Sequence, residues 1–142
     1  MNEFVKALKH TLQQFYGDNP QNSKDYARIV NDRHVERISG LLNNRTSGEI
    51  AIGGEIDNSD RYIAPTVVVN VKPDDATLMG NEIFGPVLPI VTYNDIEEAI
   101  GIINQREPPL ALYVFSKDQK VIEKGKVIHI CSNTHQLTWF FL

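Results

Sequence analysis

The residues with the most chemical potential in this chain lie together in Glu82-Ile83-Phe84-Gly85-Pro86-Val87. An acid, an aromatic and a Gly-Pro pair precede an apolar run. Gly85 permits a sharp backbone turn, and Pro86 fixes the dihedral where a strand begins. Glu82 and Phe84 then flank a loop-to-strand junction. A carboxylate there can accept hydrogen bonds from sugar hydroxyls, and a ring can lie against a flat heterocycle. A plainer reading stands beside it on the residues alone: a turn with a solvent-facing Glu and a core Phe, the usual fates of these types.

Other groups invite a chemical reading and give less. Cys131 is the one cysteine, so it forms no internal disulfide, and it reads as a free structural or incidental thiol. His129, Cys131 and His135 have the spacing H-x-C-x3-H, which offers three ligands and no matching fourth, so no metal is expected. Glu97-Glu98 resembles a carboxylate pair, but helix neighbours point in different directions and a solvated face is expected. Lys117, Lys120, Lys124 and Lys126 read as the exposed face of a last helix.

The elements that must position these residues follow from periodicity. Phe4, Leu8, Leu12 and Phe15 recur at helical spacing, which predicts a helix over 3–16 ended by Gly17, with a turn at Asp18-Asn19-Pro20. Asn31 or Asp32 can cap a second helix whose Val35, Ile38, Leu41 and Leu42 share a face. Residues 43–48 read as a loop. Ile50-Ala51-Ile52 closed by Gly53-Gly54 predicts a strand and a tight turn, and 55–60 a polar loop. The β-branched run 66–71 and the apolar run 86–91 predict two more strands. Asn94, with Glu97 three residues on, predicts a capped helix that buries Ile96, Ala99, Ile100 and Ile103. Leu110 to Phe115 reads as a strand buried on both faces. Ser116 and Gln119 then cap a short helix stopped by Gly125. Strand, helix, strand, helix over 86–124 favours a parallel sheet with a right-handed crossover, hence an α/β fold with helices flanking a mostly parallel sheet.

Composition sets the outer limits. The chain has 142 residues, 42% hydrophobic and 23% charged, the balance of an ordinary globular domain. A net charge of −4 argues against a general nucleic-acid binder, which needs clustered cations. The sequence has no apolar run of spanning length, no signal-peptide pattern at 1–9, and a cysteine usage that suits a reducing compartment.

Several segments, taken in order, resemble the class 3 branch of the aldehyde dehydrogenase family. They are Phe15-Tyr16-Gly17, Arg28-Ile29-Val30, Gly53-Gly54, Arg61 to Thr66, Glu82 to Val91, Glu98-Ala99-Ile100, Ile103 to Glu107 and Pro109 to Phe115. The similarity spans roughly residues 3–124 and implies part of that family's catalytic domain over 1–125, with a divergent tail over 126–142. It implies that Glu82 binds the nicotinamide-ribose hydroxyls of NAD or NADP and that Phe84 packs beside the nicotinamide. Gly80 and Asn81 depart from the branch, which usually has a second acid before that Glu.

The resemblance also implies what these residues do not supply. The family's cysteine nucleophile follows a Gly-Gln segment N-terminal to anything seen here, and Cys131 lies on the wrong side of the Glu82 loop. The oxyanion asparagine, the general-base glutamate and the Gly-rich dinucleotide turn have no counterpart, so no residue is expected to be catalytic. A full-length member would oxidise an aldehyde substrate to a carboxylic acid, and this chain alone is expected to be inactive. The alternative is a non-catalytic product that associates with full-length subunits or has no function. Expected partners are an aldehyde in the full-length enzyme and a second copy or full-length subunits. The expected location is the cytoplasm, or a membrane reached through a region outside this chain. From residue 126 the family's Ser-Gly-Gly, Asn-Asp and Pro-Phe-Gly-Gly segments do not follow, and Trp139-Phe140-Phe141-Leu142 needs burial.

Overall fold

A computed structural model describes residues 1–107 and 111–130, with side chains to Lys124. The chain divides into two compact units, Met1–Thr92 and Tyr93–Leu142.

The first unit opens with α1 (Asn2–Tyr16), ended by Gly17, whose N–H donates to the Gln13 carbonyl at 2.8 Å. The expected apolar face is only partly used. Leu8 and Leu12 are half-buried, whereas Phe4 and Phe15 are 54% and 64% exposed. Val5, Leu8, Leu12 and Tyr16 form the inward stripe, and the two phenylalanines lie on its shoulders. A short 3-10 turn at Pro20–Asn22 follows. The second helix, α2 (Asp32–Asn43), is capped by Asn31, whose side chain accepts the His34 amide at 3.0 Å. Of its expected face, Val35, Ile38 and Leu42 are fully buried and Leu41 lies at the edge.

The main sheet has the order β1-β4-β5, with β1 (Glu49–Ile52), β4 (Thr66–Val69) and β5 (Val87–Pro89). β1 runs antiparallel to β4, with a register break between Ile50 and Ile52 that leaves Ala51 as a bulge. β4 pairs with β5 in parallel, Thr66 opposite Val87 and Val68 opposite Pro89. Every residue of β4 is buried, as a strand covered on both faces requires. Gly53 and Gly54 make the expected turn with φ of 72° and 98°. A Cβ on Gly53 would lie 2.2 Å from the Pro65 carbonyl oxygen, so only glycine fits. The expected loop 55–60 instead contains β2 (Ile56–Asp57) and a 3-10 turn (Asn58–Asp60), and β2 pairs with β3 (Tyr62–Ile63). Asp57 nucleates that reversal by accepting the Ser59 and Asp60 amides, an Asx-type turn that a polar composition conceals.

The core joins α2 to the strands. Val35, Ile38 and Leu42 meet Ile63, Val68, Val71, Leu78 and Val87 in one buried cluster. Each such side chain contributes about 1.5–3 kcal/mol by leaving water. A separate aromatic row runs Phe15, Tyr16, Tyr26, Tyr62, with successive ring centroids 6.2, 4.9 and 5.8 Å apart and edge-on geometry. The Arg28 guanidinium lies 5.2 Å over Tyr62 and also binds Asp60.

The second unit contains α3 (Ile96–Asn104) and α4 (Gln119–Ile130). Several expectations are corrected here. Asp95, not Asn94, caps α3 by accepting the Glu98 amide at 2.9 Å, while the Glu98 carboxylate reaches back to the Asn94 amide at 2.8 Å. The capping pair is thus Asp95 with Glu98, one residue on from the expected pair, and the Glu98 carboxylate returns to the amide before the cap instead of the cap's own. The apolar face Ile96, Ala99, Ile100 and Ile103 is half-buried. Residues 111–115 form no strand, and Leu110 lies outside the described residues. Their exposure still alternates with period two, as in an extended segment, but a strand needs a ladder of backbone hydrogen bonds to a neighbouring strand, and no ladder among the described residues includes them. α4 runs through Gly125, which weakens a helix by about 1 kcal/mol without ending it. At its start Asp118 accepts the Lys120 amide, and Ser116 serves one turn earlier by accepting the Asp118 amide. The expected α/β class holds. The parallel pairing, however, comes from β4 and β5, joined by the non-helical segment 70–86, and not from strands flanking α3.

Candidate functional site

The segment that carries Glu82 and Phe84 is fixed at both ends before it reaches β5. Upstream, Asp75 is 1% exposed and acts as a polar anchor. Its carboxylate accepts the Thr46 amide at 3.1 Å, the Ser47 hydroxyl at 2.7 Å, and the Thr77 and Leu78 amides at 3.0 and 2.9 Å. Burial pushes the Asp75 carboxyl up, but these hydrogen bonds outweigh it and hold the group well below the usual carboxylate range. The anchor ties the 70–86 connection to the loop after α2. Downstream, the Thr66 amide donates to the Pro86 carbonyl at 2.8 Å, and the Val87 amide closes a three-residue turn onto the Gly85 carbonyl at 2.8 Å.

Between these ends the turn lies across α2. Gly85 passes so close to Ile38 that a Cβ would stand 2.6 Å from the Ile38 Cδ1. Ile83 is half-buried against the core. The Arg37 guanidinium donates through Nη2 to the Ile83 carbonyl at 2.8 Å and to the Phe84 carbonyl at 3.3 Å. Its Nε donates to His34 Nδ1 at 3.3 Å, one helical turn away. Phe84 itself has φ of 45°, in the left-handed region, and its side chain is 76% exposed. That backbone costs a non-glycine residue about 1–2 kcal/mol. Hydrogen bonds from a charged donor contribute about 1.5–3 kcal/mol, so the guanidinium can offset the strain. Within this chain Phe84 is therefore exposed, not the core residue of the plainer sequence reading. Glu82 is exposed as both readings expected. Strained, exposed aromatics of this kind are concentrated at functional sites.

The other candidates separate from this site. Glu97 and Glu98 are both exposed and divide into two structural jobs: Glu97 pairs with Lys124, which holds its carboxyl below the usual range, and Glu98 caps α3. That is the solvated face expected of them. Cys131 and His135 lie outside the described residues, as does the side chain of His129. Among the described residues no group of three His, Cys, Asp or Glu could hold a metal, and no helix is long and apolar enough to cross a membrane. Gln21, Asp57, Asp60 and Arg28 form a polar cluster in which Gln21 Nε2 bridges both carboxylates at 3.0 and 2.9 Å. Ser59 lowers Asp57 and Arg28 lowers Asp60, so both remain ionised, and the cluster is internally satisfied.

Comparison with known proteins places this turn in context. The model of the aldehyde dehydrogenase family matches residues 1–134. The chain belongs to the aldehyde dehydrogenase family. The dimeric NADP-preferring aldehyde dehydrogenase of Rattus norvegicus is 54% identical over 123 residues, 87% of this chain and 26% of that protein. Aldehyde dehydrogenase family 3 member A2 of Mus musculus is 48% identical over 87% of this chain and 25% of its own length. The class 3 resemblance is thus shown by relatives of family 3. The substrate-bound AldH of Staphylococcus aureus superposes with a TM-score of 0.84 at 40% identity, over 99% of this chain and 29% of that one. The NADP-dependent glyceraldehyde-3-phosphate dehydrogenase from Bacillus halodurans, solved with NADP, has a TM-score of 0.77 at 23% identity, which shows shared fold alone. The chain spans about a quarter of the length of the curated relatives it matches.

Neither Arg37 nor Asp75 stands out as a site-forming residue from sequence pattern. A visible signal existed for Asp75, since an Asp two and three residues before Thr77 and Leu78 suits a side-chain-capped turn. None existed for Arg37, whose partners lie 46 and 47 positions away.

Proposed function

We propose that this chain supplies the nicotinamide-ribose rim of an NAD(P)-dependent aldehyde dehydrogenase that oxidises aldehydes to carboxylic acids. Residues 1–125 are the catalytic-domain segment and 126–142 a divergent tail. The observation that carries the reading is Phe84: a large ring held outward on a left-handed backbone beside an exposed acid. The described residues fit one end of the dinucleotide. Glu82 would accept the ribose hydroxyls, and Phe84 would offer a face to the nicotinamide ring. When bound, NAD or NADP would accept a hydride from the substrate. Glu82 would hold the sugar in register, and the ring would shield one face from water. The proposal gives no residue of the described segment a covalent or proton-transfer role, and no turnover is expected of this chain alone.

The test has two arms. Purified chain is assayed with an aldehyde and NAD or NADP; turnover above a buffer blank refutes inactivity. The chain is also exchanged for the matching quarter of the rat relative. In that active chimera Glu82→Gln raises the KM for dinucleotide about tenfold, the loss of one hydrogen bond to a charged group, and leaves the aldehyde KM in place. An unchanged dinucleotide KM refutes the assignment of Glu82.

A second reading draws on the exposed apolar residues Phe4, Phe15, Val30 and Leu88. Single exposed apolars are ordinary, and each of these would gain by burial against a full-length subunit. Co-expression with a tagged family 3 relative, followed by affinity capture, decides it: a chain that never co-purifies excludes this role.

A further inference from the structure

We infer that Arg37 is a positioning residue for the Phe84 ring, acting through the backbone of the turn that carries it. The inference deepens the nicotinamide-rim reading and rests on it for its functional meaning, although its structural content stands apart from any ligand. One Nη2 atom reaches two successive carbonyls, those of Ile83 and Phe84, at 2.8 and 3.3 Å. In an extended strand successive carbonyls point to opposite sides; turn-like dihedrals at the residue between them, here Phe84 with φ of 45°, bring both to one side. With the carbonyls gathered toward α2, the Phe84 side chain is left facing solvent at 76% exposure.

The guanidinium is itself held in place. Nε donates to His34 Nδ1 at 3.3 Å, so the planar group is fixed at two edges and Nη2 has a defined aim. Both residues lie on α2, whose Val35 and Ile38 are buried in the core, so the clamp is referenced to the rigid part of the unit. Gly85 completes the arrangement by allowing the turn to lie directly on Ile38. A lysine could reach one carbonyl but could not keep the second edge on His34. Without the clamp, the preference of a non-glycine residue for negative φ would deplete the outward conformation about tenfold.

The experiment uses the isotope-labelled full chain and NMR. A residue with positive φ gives a strong intraresidue amide-to-Hα NOE, which reports on Phe84 directly. In Arg37→Met this NOE weakens and the Ile83 and Phe84 carbonyl 13C shifts move. The Thr66 and Ile90 amides, which donate to Pro86 and Val68, remain in place because the β4–β5 pairing does not pass through Arg37. Arg37→Lys, with one donor able to reach a carbonyl, retains most of the NOE. The inference is overturned if Arg37→Met leaves Phe84 with positive φ, or if the Thr66 and Ile90 amides move as far as the turn does. Should Arg37→Met not fold, Arg37→Lys carries the test: the two carbonyl shifts must move while those two amides do not. In the chimera with the rat relative, Arg37→Met raises the dinucleotide KM and leaves the aldehyde KM in place. If Phe84→Ala there leaves the dinucleotide KM unchanged while Arg37→Met still releases the turn, the nicotinamide reading falls and the positioning role stands.

Discussion

Adding one methyl group at Gly85 tests how the candidate turn is seated. The Gly85 backbone does not need glycine for its dihedrals; it needs glycine because Ile38 is there. A Cβ would lie 2.6 Å from Ile38 Cδ1, 3.1 Å from Cγ1 and 3.5 Å from Cγ2. Ile38 is fully buried in the α2 core cluster and has little room to retreat. Gly85→Ala should therefore cost about 1–3 kcal/mol, the range for overpacking a close-packed site. Ile38→Val deletes the nearest carbon and costs about 0.5–1.5 kcal/mol alone. In the double variant the new Cβ finds the space that Cδ1 left, and the remaining contacts are tight but tolerable. The two costs should then fall short of additivity by about 1 kcal/mol or more, as expected for residues in contact. Urea denaturation followed by near-UV circular dichroism of the Tyr16–Tyr26–Tyr62 row reads the first unit. Strictly additive losses in the double variant would show that the turn is not seated on Ile38, and the account of Phe84's presentation would fail with it.

Asp75→Ala leaves four donors without their acceptor in a closed site and should lower stability by about 2–4 kcal/mol in the same assay, with Asp75→Asn intermediate. Because folding depresses the Asp75 carboxyl, its contribution is complete above the unfolded value of about pH 4 and is lost as pH falls below that toward the folded value. An acid titration of stability should therefore be flatter below pH ~4 in Asp75→Asn than in the native chain. Asn31→Ala removes the cap of α2 and should cost about 1 kcal/mol, visible as a lower urea midpoint. Tyr26→Phe removes the hydroxyl that donates to the Ile63 carbonyl at 2.8 Å and should cost about 0.5–1.5 kcal/mol without disturbing the ring row.

What the sequence made legible was local. The α1 helix, the Gly17 stop, the Asn31 cap, the Gly53-Gly54 turn and the β-branched run that contains β4 each depend on residues within a few positions of one another. What it concealed was long-range. The apolar run 110–115 predicts a strand, yet 111–115 form none, because strand formation depends on a neighbouring strand that periodicity cannot supply. Similarly, Phe4 and Phe15 have the spacing of a buried face, but α1 lays only Val5, Leu8, Leu12 and Tyr16 inward. The candidate site divides the same way. Glu82 to Pro86 was visible as a motif, whereas its outward orientation is set by Arg37 and Ile38, more than forty positions earlier.

The arrangement around Phe84 has an energetic direction. Each restraint on the turn, the Asp75 anchor, the Arg37 clamp, the Gly85–Ile38 contact and the Pro86–Thr66 hydrogen bond, comes from the first unit. The conformational cost of holding a large ring away from the core is therefore met when this unit folds, not when a ligand arrives. A surface so preorganised loses little entropy on binding a flat heterocycle. By the same reasoning it adds little affinity by itself, since one ring face and one carboxylate enclose only a small part of a dinucleotide. Calorimetry of the isolated chain should accordingly show no NAD or NADP binding tighter than about millimolar. Tighter binding would mean that the rim is not the limit of what these residues recognise.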